Sequence, residues 1–75
     1  MKFKYIIFED DSFVIFGDFL THEQMKDSRG GLKPVSAGMC FFTSDGRVNV
    51  MGESISLKLK SRLEDYNLIN GFKDM

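Results

Sequence analysis

The sequence holds one cysteine, one histidine and one proline in 75 residues, and almost no charge imbalance. Each shortage removes a class of solutions. Cys40 alone cannot form an internal disulfide, and Cys40 with His22 is too small a set for a zinc-type site within one chain. No metal or other cofactor is therefore expected. A formal net charge of -1 argues against a domain whose chief partner is the nucleic-acid backbone, since such domains carry a basic excess. No apolar run approaches the ~20 residues that span a bilayer, so no membrane association is expected. The opening "MKFKYIIFEDD" reaches acidic residues after a few apolar ones and does not read as a secretory signal. With a lone cysteine, this points to a cytoplasmic chain.

What is present suits a folded protein. A hydrophobic content of 43% with 28% charged residues is wrong for a disordered chain. The length fits a single small domain, residues 1–75. A domain of this size buries only about 60% of its unfolded surface, so its stability is marginal without help. Disulfides and metals being excluded, the remaining help is an unusually good core or oligomerisation.

Residues 2–8 read as a strand rich in Phe, Tyr and Ile, ending at the turn-forming Glu9-Asp10-Asp11-Ser12. Residues 13–16 return as a hairpin partner. "THEQ", residues 21–24, has the form of a capping box, with Leu20 and Met25 as a hydrophobic staple, and predicts a short exposed helix over 21–28. "SRGGLKP" breaks the chain with two glycines and a proline. Residues 35–43 form the next strand. The small residues Ser36, Ala37 and Gly38 predict a bulge or the close approach of another backbone. Asp45-Gly46 is a strong hairpin turn, and residues 47–51 return with Val48 and Val50 on one face.

Residues 54–60 alternate Ile55, Leu57 and Leu59 with serine and lysine, which favours a strand over a long helix starting at Ser54. A second capping box, Ser61 to Glu64, predicts a closing helix with a buried stripe of Leu63, Tyr66, Leu68, Ile69 and Phe72, stopped near Asn70-Gly71. The plan strand, strand, helix recurs. Phe8 matches Phe42, Asp11 matches Asp45 and Val14 matches Val48 at an offset of 34, which becomes 35 at Gly17 and Gly52. The expected fold is α+β: an antiparallel sheet of four to five strands in a ββα-βββα order, with the C-terminal helix packed on one face. The first two strands lack clean alternation, so both faces must be covered. Either the sheet curls around its own core or a second molecule covers what one helix leaves bare.

Chemistry-bearing residues are few. His22 reads as an exposed helix residue beside the cap, not as a general base or metal ligand, because nothing near it completes a set. Cys40, between Met39 and Phe41, reads as buried and structural. Glu9, Asp10 and Asp11 gather three carboxylates but lack calcium-loop spacing, and read as a solvated turn. No catalytic residues are assigned, and an enzyme is not expected. The candidate partner-binding residues are Arg29, Gly30, Gly31 and Lys33 in the exposed loop, with a basic row of Lys58, Lys60 and Arg62. That loop leaves a helix and enters a strand, the reverse of a phosphate-binding loop. Lysines along a strand face also guard against edge-to-edge association. The function expected is a small cytoplasmic protein-interaction module, a homodimer or a subunit docked on a larger protein. The alternative is a nucleic-acid-binding accessory protein using Lys58, Lys60, Arg62 and the loop from Arg29 to Lys33, which the net charge disfavours.

Overall fold

The computed structural model describes residues 2–71. Two hairpins build the main sheet: β1 (Phe3–Phe8) returns as β2 (Phe13–Gly17), and β3 (Pro34–Phe42) returns as β4 (Val48–Met51). All neighbours are antiparallel, in the order β2-β1-β3-β4. Helix α1 (His22–Met25) lies between the hairpins. A small second sheet pairs β5 (Glu53–Ser54) with β6 (Leu59–Lys60), and α2 (Asp65–Asn70) follows. The fold is the expected α+β, an antiparallel four-stranded sheet with the C-terminal helix packed on it.

Both hairpins turn in the same way. The Phe8 N–H donates to Ser12 O at 2.8 Å, and the Asp11 N–H donates back to Phe8 O at 2.9 Å. The Thr43 N–H donates to Arg47 O at 2.8 Å, and the Gly46 N–H to Thr43 O at 3.1 Å. Asp11 (φ 70°) and Gly46 (φ 85°) occupy the left-handed position each loop requires. The Asp10 and Asp45 carboxylates accept from the N–H two residues on, at 3.0 and 3.3 Å. Hydrogen bonds from the Ser12 and Thr43 hydroxyls, first among the causes, hold these two carboxyls below their ordinary range. The internal repeat therefore runs at an offset of 35 throughout the turns, pairing Phe8 with Thr43 and Asp11 with Gly46. The offset of 34 followed residue type and missed the backbone equivalence.

β1 is central, and Tyr5, Ile6, Ile7 and Phe8 are fully buried. Its lack of alternation follows from cover on both faces. On one face Tyr5, Ile7, Cys40 and Val48 cluster, with Leu68 and Ile69 of α2 against them. On the other face are Ile6, Phe8, Phe16 and Ala37, covered by Leu20, Met25 and Leu32 around α1 and by Leu57 and Leu59 of the small hairpin. The chain thus covers this second cluster itself, without a second molecule.

The predicted strand over 54–60 is replaced by two two-residue strands around a tight turn. Lys58 takes a left-handed conformation (φ 57°), and Ser54 Oγ accepts the Leu57 N–H at 3.2 Å. This turn sends Leu57 and Leu59 to the core and leaves Ile55 83% exposed. A period-two pattern cannot distinguish a strand from such a fold-back.

The first capping box forms as expected: the Gln24 N–H donates to Thr21 Oγ1 at 3.0 Å, and the Thr21 N–H to Gln24 Oε1 at 2.8 Å. Helix α1 is shorter than 21–28. The second capping box does not form. Helix α2 has Glu64 at its N-cap with no side-chain cap, and Ser61 Oγ instead donates to Gly52 O at 3.1 Å. Leu63 precedes the helix and is 99% exposed, so it is not part of the core stripe. Gly71 (φ 75°) ends α2 as expected. Phe72 lies outside the described residues.

Gly38 faces Tyr5 in the β1–β3 register, and a Cβ there would stand 2.5 Å from Met51 O. The close backbone approach expected of the small-residue stretch is this contact. Gly38→Ala is expected to destabilise the protein by about 1–3 kcal/mol through overpacking, read as a lower urea midpoint at unchanged m-value.

Candidate functional site

A buried tyrosine needs a partner for its hydroxyl. The Tyr5 hydroxyl donates to Asp65 Oδ2 at 2.7 Å. The same oxygen accepts the Arg62 N–H at 2.9 Å, and Asp65 Oδ1 accepts Arg62 Nε at 3.0 Å. Asp65 has no exposed surface, and a buried carboxylate is tolerable only when so completely bonded. Burial first, then the bond to Asp65, holds the Tyr5 phenol far above its ordinary range. Arg62 Nη1 lies 3.5 Å from Glu64, while Nη2 is buried without a hydrogen-bond partner. This network ties the start of α2 to the central strand.

The segment from Ser61 to Asn70 also covers part of one edge of the sheet. Ladder alternation turns the backbone groups of Val48 and Val50 away from β3. Asn70 takes both groups of Val48, accepting its N–H at 2.8 Å and donating to its carbonyl at 2.9 Å. Gly52 O accepts the Ser61 N–H at 3.0 Å as well as the Ser61 hydroxyl. Between these clamps lies a cleft of about 310 Å³ against Val50, lined by Asn49, Ser61, Arg62, Leu63 and Tyr66.

The opposite edge differs. By the same alternation Phe13, Ile15 and Gly17 of β2 point their backbone groups outward. Of these, Gly17 O accepts the Leu20 N–H at 3.1 Å. The strand reads FVIFG, with no charge and no proline to discourage pairing. Phe19, 83% exposed, lays its ring where a Cβ of Gly17 would stand. A second apolar feature, a depression of about 360 Å³, lies among Lys2, Met39, Cys40, Phe41 and Met51, beyond the part of the second face that α1 and the small hairpin cover.

The structure separates the residues singled out by the sequence. Arg29, Gly30, Gly31 and Lys33 lie in an exposed turn held to the first hairpin, where Glu9 N–H donates to Lys33 O at 2.9 Å and Lys33 N–H to Glu9 Oε2 at 2.8 Å. Lys58, Lys60 and Arg62 do not form a row on one strand: Lys58 is in the turn, Lys60 in β6, and Arg62 is turned in to Asp65. In sequence, Asp65 is hidden behind the stronger capping pattern of Ser61 and Glu64. The usable signal was Tyr5, a hydroxyl inside an otherwise apolar strand.

His22 is buried, not exposed as expected. Its Nε2 lies 2.9 Å from Gly38 O, and Phe16 meets its ring edge-on at 5.7 Å. Burial pushes the imidazole below its ordinary range, against the pull of the Gly38 bond. Burial also raises the Cys40 thiol to about 11, consistent with a structural cysteine. Among the described residues no group of three or more His, Cys, Asp or Glu side chains gathers as a metal site would need, and no helix is long and apolar enough to cross a membrane. No protein-family model, curated protein or solved structure matches the chain.

Tyr5→Phe is expected to cost about 1–3 kcal/mol in denaturant unfolding, because it leaves the buried Asp65 carboxylate short of a donor. His22 gives stability a pH dependence. The fold favours the neutral ring, whereas the unfolded chain takes up a proton near pH 6.5. Its contribution is present above that pH and is lost as pH falls below it. The urea midpoint should drop as pH falls below about 6.5, and His22→Gln should flatten that slope.

Proposed function

We propose that this chain is a small protein-interaction module, not an enzyme, which works by self-association or by docking on a larger protein. The observation that carries the reading is the asymmetry of the sheet edges. One edge is clamped by Asn70 and Ser61, while the other offers an uncharged strand with outward backbone groups. Such an edge adds a strand from a partner, with main-chain hydrogen bonds supplying affinity and alternate side chains supplying selectivity. The non-enzymatic part rests on the sole histidine and sole cysteine, each buried in a structural role. The free thiol of Cys40 accords with a cytoplasmic setting.

Immobilised chain is expected to retain protein, its own untagged copy or another, at physiological salt. Ile15→Lys places a charge on the open strand beside the Tyr5 and Ile7 cluster, and in a chain shown to be folded by circular dichroism it should reduce that retention by about tenfold or more. Equal retention by both would remove the β2 edge from the reading. Retention of nothing at micromolar concentrations would end it.

A further inference from the structure

The geometry points to a second copy of this chain as the occupant of the β2 edge, paired antiparallel about a two-fold axis at Ile15. This rests on the interaction reading above and names its partner.

Three observations carry it. The first is closure. With the β4 edge bonded within its own chain at Val48 and Gly52, on either side of Val50, joining two β2 edges makes one eight-stranded sheet whose outer edges are obstructed, and growth stops at two copies. An edge that paired with itself on a molecule open at both ends would instead propagate.

The second is self-complementarity. An isologous contact makes every cross-strand pair twice and sets the residue on the axis against itself, so a charge on the axis would face a like charge. β2 carries none. Centring on Ile15 sets Ile15 against itself, Val14 against Phe16 and Phe13 against Gly17. These are apolar pairs, the β-branched–aromatic one of a kind that stabilises antiparallel ladders. Beyond the strand, Asp18 then meets Ser12, and Asp11 meets Phe19. Moving the centre to Val14 would set Asp10 against Asp18, two carboxylates in opposition.

The third is the placement of backbone groups and of Phe19. Ile15 turns both its N–H and its carbonyl outward, which gives a reciprocal central pair. The Gly17 N–H then reaches the Phe13 carbonyl of the other copy, while the Gly17 carbonyl already serves Leu20. The Phe19 ring lies against Gly17, the residue that Phe13 of the second copy opposes, so the most exposed phenylalanine among the described residues gains cover. The ladder is short, so the dimer is expected to dissociate on dilution through the micromolar range.

The test is light scattering across a dilution series with two site-specific probes. The mass is expected to rise with concentration from 8.6 kDa to about twice that value and to stop there. In a Cys40→Ala background, Ile15→Cys should cross-link to a dimer under mild oxidation, since opposed Cα atoms lie about 5.5 Å apart. Val14→Cys should not, because its own counterpart is two residues out of register. Phe19→Glu, at an exposed position that leaves the core intact, should raise the concentration of half-dissociation by about tenfold or more. A mass of 8.6 kDa at every concentration overturns the second copy, and retention of a different protein through β2 would then leave the broader interaction reading standing. A dimer that cross-links at position 14 and not at 15, or that ignores Phe19→Glu in a chain shown to be folded by circular dichroism, overturns the two-fold pairing at Ile15.

Discussion

The rest of the structure depends on one constraint: the central strand must be covered on both faces. Tyr5 and Ile7 look one way, Ile6 and Phe8 the other, and none of the four touches solvent. Each buried side chain of this size contributes about 1.5–3 kcal/mol, too much for a small domain to forgo. The chain therefore builds two roofs. The second face receives α1, Leu32 and the β5–β6 hairpin, and the first receives α2. Because the hairpin and α2 are consecutive in sequence but lie on opposite faces, the segment joining them must pass around an edge of the sheet. It passes at β4.

That crossing explains the polar architecture. Ser61 bonds Gly52 as the chain leaves the second face, and Asn70 bonds Val48 once α2 lies on the first. Between them Asp65 accepts from Tyr5 and Arg62, which fixes where the helix begins. A buried carboxylate contributes less to stability than apolar packing of the same volume. What it supplies here is position: a helix of six residues has too few apolar contacts to fix its own register, and a charged hydrogen-bond cluster admits few alternatives.

The legible parts of the sequence were those set by neighbours along the chain. Thr21 and Gln24 cap α1, Asp45-Gly46 turns the second hairpin, and Gly71 stops α2, each through bonds spanning a few residues. Gly38 was legible as a close approach, since only a missing side chain permits one. The illegible parts were set across the fold. The pattern over residues 54–60 reads as a strand because alternation does not reveal whether the chain continues or doubles back. His22 reads as exposed along the chain because its cover, Phe16 and the Gly38 carbonyl, comes from two other strands. Asp65 looks like an ordinary first-turn acid until β1 is placed beside it.

The two hairpins share a turn design and an offset of 35 residues, yet their outer strands fare differently. After β4 the chain goes to the second face and must come back to the first, so it wraps the β4 edge on the way. After β2 the chain also goes to the second face, but from there it runs through the loop held by Glu9 and Lys33 directly into β3 beside β1. Nothing requires it to cross β2. The open edge is thus a consequence of the order in which the faces are covered. Sequence then decides whether an open edge is tolerated in isolation. A strand meant to stay alone carries lysine, proline or a bulge, whereas Phe13–Gly17 carries none of these. For a domain this small, ligation of that edge also adds stability by mass action, since only the folded chain presents it.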